Sequence, residues 1–165
     1  MLHAVDRTLT AAGGRLLGER LAAPLFNVAA IESRLDLVSW FLAEKACGDK
    51  VRSQLRIQPD IERALSRLSL GHGGPRDLAN IANGLDSAGE ITAQIKAVAA
   101  KGISGLALPN GLPDCLDMML CPRGLSDELT PALADELPLL ARDGGFIRQG
   151  YDLAVSYTHL RAHET

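Results

Sequence analysis

Apolar positions recur along most of this chain at intervals of three and four, the spacing of helices that bury one side. The clearest run follows Asn27: Ile31, Leu35, Val38 and Leu42 form a continuous stripe, while Arg34, Asp36 and Glu44 lie off it. Asn27 is a good N-cap and Gly48 a natural stop, so a helix is predicted from residue 27 to about 47. Upstream, Thr10 caps a shorter helix with Leu16, Leu17 and Leu21 on one side, ended by Pro24. Gly13, Gly14 and Gly18 each cost it about 1 kcal/mol against Ala, so it needs tertiary packing to survive. A short third helix is predicted over residues 50–57.

After Pro59, Asp60 caps a fourth helix in which Ile61, Leu65 and Leu68 share a face, with Arg63 and Arg67 as i, i+4 neighbours on another. Gly71-His72-Gly73-Gly74 breaks the chain, and Pro75 suits the first turn of a fifth helix. That helix carries Leu78, Ile81 and Leu85 and can run on through Ile91, Ile95 and Val98, with Gly84 and Gly89 as points of bending. Glycines and prolines mark residues 101–113 as a loop, with a strong turn at Pro109-Asn110-Gly111. Ser126, Leu129, Leu133, Leu137 and Leu140 predict a last helix interrupted by Pro131 and Pro138. The chain then turns at Asp143-Gly144-Gly145 into a short extended piece. The fold class expected is all-α, a helical bundle or array.

Composition narrows the picture. Aromatic residues at 4% are thin for a β-sandwich or barrel, and 47% hydrophobic with 22% charged excludes a disordered chain. Seventeen basic against 20 acidic residues leave a net charge of −3, so no overall basic field draws the chain to nucleic acid. No stretch approaches the roughly 20 apolar residues that cross a bilayer, and the first residues supply no signal-peptide apolar region. A cytoplasmic location is expected. Cys47, Cys115 and Cys121 lack Cys-x-x-Cys spacing and read as small buried thiols.

Candidate chemistry is sparse. The chain has no phosphate loop of the Gly-x-x-x-x-Gly-Lys-Ser/Thr kind, no Gly-x-Gly-x-x-Gly and no Gly-x-Ser-x-Gly. The glycine run ahead of Pro75 could hold an anion at a helix start, but Pro75 removes a donor and no lysine follows, so it reads as an interhelical turn. His72 has no acid or cysteine at catalytic spacing. Asp127-Glu128 and Asp135-Glu136 point apart on a helix and read as solvated pairs. His159 and His163 have i, i+4 spacing but no third metal ligand. Arg52, Arg56, Arg63, Arg67 and Arg76 lack interleaved aromatics and read as interhelical ion-pairing residues. No catalytic, cofactor or metal site is expected.

Four ordered blocks carry a family resemblance. Asp6-Arg7-Thr8-Leu9-Thr10-Ala11-Ala12-Gly13-Gly14-Arg15-Leu16-Leu17 resembles the Asp-x-Thr-x-Thr-x-x-Gly-x-Arg-x-Leu entry to the core domain of MutS-type DNA mismatch repair proteins. Pro24-Leu25 and Arg34-Leu35-Asp36 follow in the family's order. Asp60-Ile61-Glu62-Arg63 with Arg67 is similar to the family's Asp-Leu-Glu-Arg segment, followed at the expected interval by Pro75-Arg76-Asp77-Leu78. Asp143-Gly144-Gly145-Phe146-Ile147 with Gly150-Tyr151 is similar to the segment where the core leads toward the clamp. The signature residues are therefore Asp6, Thr8, Thr10, Gly13, Arg15, Leu17, Asp60, Glu62, Arg63, Arg67, Pro75, Arg76, Asp77, Asp143, Gly144, Gly145 and Tyr151, all expected to be structural.

The resemblance implies a fragment of a larger protein. Residues 1–141 are expected to form an incomplete helical core or lever, and 142–154 the start of the connection toward the clamp. Residues 155–165 are similar to the translated adapter sequence that ends many shotgun-assembled reading frames, and are expected to be a non-native tail. The parent implied is a dimeric ATPase that binds mismatched DNA and uses ATP and Mg. This chain lacks both the mismatch-reading Phe-x-Glu motif and the phosphate loop, so it is expected to be no enzyme, hold no cofactor and bind little DNA alone. The rival reading is a free-standing helical scaffold or regulator that binds a protein partner through an exposed apolar stripe. By the resemblance, the core is completed by helices that return after the clamp, so part of the stripe is expected to be exposed here. In an intact parent, Leu35→Ala is expected to cost about 2–5 kcal/mol as a core truncation, measured by denaturant melts.

Overall fold

The computed structural model describes residues 2–101, 105–120 and 123–151. Its helices are α1 (Leu2–Val5), α2 (Ala11–Ala22), α3 (Val28–Ala43), α4 (Lys45–Leu55), α5 (Ile61–Ser69), α6 (Pro75–Lys101), α7 (Leu112–Leu120) and α8 (Arg123–Ala132). A single 3₁₀ turn follows at Ala141–Asp143. The chain is all-α: among the described residues there is no strand, only an isolated bridge between Leu133 and Ile147. The tail at 155–165, with His159 and His163, lies outside the described residues, as does Cys121.

The predicted caps start their helices. Thr10 Oγ1 accepts the Gly13 amide at 2.9 Å, and Asn27 Oδ1 accepts the Ala30 amide at 3.0 Å, each closing an otherwise unpaired N–H of a first turn. The predicted ends hold less well. Helix α3 stops at Ala43 rather than near 47, and α4 begins at Lys45 rather than 50. Glu44 turns the chain between them: its N–H closes on the Trp40 carbonyl at 2.8 Å, and its own carbonyl takes the Cys47 and Gly48 amides at 2.9 and 3.0 Å. Gly48 thus sits in the first turn of α4 instead of ending a helix.

Other boundaries also move. Helix α6 runs unbroken through Gly84 and Gly89. Helix α7 occupies a stretch assigned no element, with Pro113 in its first turn, where a missing N–H costs nothing. Helix α8 begins before Ser126 and ends at Ala132, so Leu137 and Leu140 are not helical. Pro131 lies inside the helix without an amide for the carbonyl four residues back, and the Ala134 amide goes to the Phe146 carbonyl instead of continuing the helix.

The described chain divides into two compact units, each made of two segments. The first comprises Met1–Asp60 and Gly84–Arg123. Its core is Trp40, Cys47, Ile91, Ile95, Leu112 and Leu116, flanked by half-buried Leu37, Phe41, Val51, Leu55 and Val98. The second comprises Ile61–Asn83 and Gly124–Thr165, and buries Ala64, Pro75, Ile81, Ala82, Ala132 and Leu133. In α5 it is Ala64 that is buried, while Leu65 is exposed.

Helix α3 leaves its apolar stripe exposed, as expected of a chain without the helices that return after the clamp. The conspicuous stripe faces outward, with Leu35, Val38 and Leu42 58%, 55% and 74% exposed. The opposite side carries Leu37, Trp40 and Phe41 inward, with Trp40 and Phe41 rings edge-to-face at 5.0 Å. A helix with apolar residues on two sides can bury only one in a core this size, and the Trp side offers more area. In this chain Trp40→Ala is expected to cost about 3–5 kcal/mol and Leu35→Ala no more than about 0.5 kcal/mol, compared by denaturant midpoints. A Leu35→Ala loss matching that of Trp40→Ala would contradict the exposed face.

Candidate functional site

The entry signature folds into a knot ahead of α2. Asp6 Oδ1 accepts both the Thr8 amide at 2.9 Å and the Thr8 hydroxyl at 2.7 Å. Those two bonds favour the ionised carboxylate and hold its pKa below the ordinary value. Thr10 then caps the helix at Gly13, where an added Cβ would sit 2.9 Å from Thr10 Oγ1. The threonine cap and the glycine are one device: the hydroxyl reaches the amide closely because no side chain stands there. Leu17 is half-buried two turns on.

Arg15, one turn into α2, reaches the residue that leads into α5. Its two terminal nitrogens meet the two oxygens of Asp60 at 3.1 Å each, a bidentate pair joining positions 45 residues apart. Glu62 and Arg63 stand exposed on the first turn of α5.

A second charged junction closes the elbow between α5 and α6. Helix α5 ends in a Schellman motif: the Gly71 amide returns to the Leu68 carbonyl at 3.0 Å and the His72 amide to the Arg67 carbonyl at 2.9 Å, with Gly71 at φ +72°. Gly73 lies against Leu68, where an added Cβ would come within 2.5 Å of Cδ2. Arg67 donates from Nε to Asp77 Oδ1 at 3.0 Å, and a terminal guanidinium nitrogen meets the same oxygen. Asp77 Oδ2 accepts the Gly74 amide at 3.1 Å. Asp77 is only 8% exposed, yet its pKa is lowered, first by the Arg67 hydrogen bond and then by Gly74, against the opposing effect of burial. Pro75 is fully buried, while Arg76 is exposed and reaches the Leu137 carbonyl at 3.4 Å.

The last signature is a turn. Asp143 Oδ2 accepts the Leu140 amide at 3.3 Å, Gly144 and Gly145 follow with positive φ, and the Tyr151 hydroxyl donates to the Glu128 carbonyl at 3.3 Å.

Chemically, these groups are committed to caps and ion pairs. The glycine run ahead of α6 does not fit a nucleotide phosphate, because Gly74 N–H already serves Asp77, whose negative charge repels another anion there. Neither the cleft of about 260 Å³ beside Trp40 and residues 106–110 nor that of about 430 Å³ beside Asp49, Lys50 and Gln94 is lined by a signature residue. Among the described residues no group of three His, Cys, Asp or Glu could hold a metal, and no helix is long and apolar enough to cross a membrane. Cys47 is buried and its thiol pKa raised by that burial, but Cys115 is exposed, contrary to the buried reading. It is an exposed residue of α7, whose buried residues are Leu112 and Leu116. Gly73 was missed; its only signal was the length of a glycine run that reads equally well as a plain break.

Because the Asp77 pKa is lowered from its ordinary 3.8, its contribution is complete above that value and is lost as pH falls through the lower native one. Asp77→Asn is expected to cost about 1–2 kcal/mol at neutral pH, the range of a charge-assisted bond to a half-exposed arginine. The gap between the two proteins narrows on acidification below about pH 4. Denaturant midpoints from pH 7 to 2 read both; a gap independent of pH would refute the assignment.

Comparison with known proteins agrees with the four blocks. Residues 1–164 match the family model described as MutS domain III. The chain is 48% identical over 159 residues to the DNA mismatch repair protein MutS of Rhodopseudomonas palustris strain BisB5, covering 96% of this chain and 16% of that protein. It is 48% identical over 156 residues to the protein of that name from Nitrobacter winogradskyi, covering 94% and 17%. With that of Azorhizobium caulinodans it shares 45% over 166 residues, covering 100% and 17%. The chain spans about a sixth of the length of these relatives. On the ordered signatures, the all-helical fold and these matches, the chain belongs to the MutS domain III family.

Proposed function

We propose that this chain is part of the helical lever of a DNA mismatch repair protein. The lever couples the modules that grip DNA and read the mismatch to the ATPase module, and performs no catalysis itself. The observation that carries the reading is the placement of the signature charges. Arg15 with Asp60, and Arg67 with Asp77, tie separate helical segments together. Segments tied in this way move as packed bodies, which is how displacement at one site reaches another.

Under this reading the partners of the intact protein are mismatched duplex DNA and a second subunit. ATP and Mg are held by the ATPase module, and the location is cytoplasmic, on the nucleoid when DNA is bound. Residues 142–154 lead toward the clamp. With a net charge of −3 the chain alone has little affinity for phosphate backbones. The outward stripe of α3 is covered in the intact protein by the helices that return after the clamp, and its exposure makes the isolated chain prone to self-association. No observation favours the free-standing scaffold.

The test grafts residues 1–151 into the R. palustris relative in place of its matching stretch and compares the graft with its Arg15→Gln variant. Affinities for mismatched duplex and for ATP are expected to stay within about threefold, while the change in ATP hydrolysis caused by mismatched DNA falls roughly tenfold, about 1.4 kcal/mol of coupling. An intact DNA response in a folded variant would count against the lever. So would tight mismatch-selective binding by the 165-residue chain alone, measured by fluorescence anisotropy.

A further inference from the structure

Helix α8 is closed at its C-terminal end by a residue far downstream. The Leu133 amide returns to the Leu129 carbonyl at 3.0 Å, but the last two carbonyls of the helix take donors from Arg148. Its Nε reaches the Pro131 carbonyl at 3.2 Å, and its backbone N–H reaches that of Ala132 at 2.7 Å. The guanidinium also pairs with Asp135 at 2.9 Å. A cation thus stands where the helix dipole is negative and where carbonyls lack helical donors.

The surrounding chain forms a strap. The Ala134 amide donates to the Phe146 carbonyl at 2.9 Å, which sets Leu133 opposite Ile147, and Tyr151 reaches back to Glu128. Ala132 and Leu133 are buried, Phe146 and Ile147 half-buried, and Arg148, Asp135 and Tyr151 exposed. Positive-φ glycines stand near both ends of the strap, Gly144 at +67° and Gly145 at +71° at its start and Gly150 at +83° near its end. Glycine visits both signs of φ with similar ease, so these points can rotate without straining their neighbours. Polar bonds at an exposed surface compete with water and are individually weak, which places the strap at the low-stability end of its unit.

We propose that residues 144–151 are a releasable strap locked by Arg148. Closed, the strap caps α8. Open, it releases the C-terminal end of α8, while α5 and the start of α6 stay folded. This inference stands independently of the lever reading.

Amide hydrogen exchange on the 165-residue chain tests it. The Ala134 and Arg148 amides are expected to exchange at least a hundredfold faster than that of Ile81. Arg148→Ala speeds Ala134 roughly tenfold or more and leaves α5 and α6 unchanged. Arg148→Lys, which keeps the charge and loses the planar fork, falls between. If Arg148→Ala does not fold, Gly145→Ala strains the closed turn and supplies the same reading. Equal protection at Ala134 and Ile81 overturns the proposal, as does acceleration of α5 and α6 in step with Ala134, or no acceleration at Ala134.

Discussion

The start of α6 is the point on which most of this structure depends. One carboxylate, Asp77, pairs with Arg67 from the last turn of α5 and accepts the Gly74 amide at the helix start. A buried carboxylate is costly on its own, and here the cost is offset by a cation, an otherwise unpaired N–H and the positive end of the helix dipole. The helix contributes Ile81 and Ala82 to the core of one unit, and Ile91 and Ile95 to that of the other.

Arg15 and Asp60 repeat the same solution in a more exposed setting, with two parallel bonds instead of a shared oxygen. Together the two pairs explain the character of the family signatures. Aspartate, threonine, arginine, glycine and proline are residues of caps, turns and bidentate pairs, not of a pocket. Such residues set the angle at which one segment leaves another. The glycine at position 73 belongs to the same logic, since it lets the elbow close against Leu68.

Helix α3 shows the other half of the design. Its two apolar sides are unequal in bulk, and the side with Trp40 and Phe41 goes inward while the evenly spaced aliphatic side faces solvent. Periodicity identified the outward side first, because regular spacing is more conspicuous than size. A stripe of Ile, Leu and Val left in water is unusual for a complete domain, and it agrees with a chain that spans a sixth of its relatives.

Much of this protein was legible in its residues. Helix starts at Thr10, Asn27 and Pro75, the break at Gly71 and the turn at Gly111 follow from local chemistry that acts within four residues. The all-α class and the family followed from patterning and from the order of the signature blocks. Helix ends were less legible. The stop at Glu44, the passage of α6 through Gly84 and Gly89, and the exit of Leu137 from α8 depend on which side chains find a core. The partners of Arg15 and Arg148 were equally hidden, since an arginine pairs with whatever carboxylate or carbonyl the fold delivers, 45 residues away in one case and 13 in the other. Local sequence determined where helices begin, because a cap bonds its own neighbours. Only tertiary structure decided where they stop and which face is buried, because burial depends on groups distant along the chain.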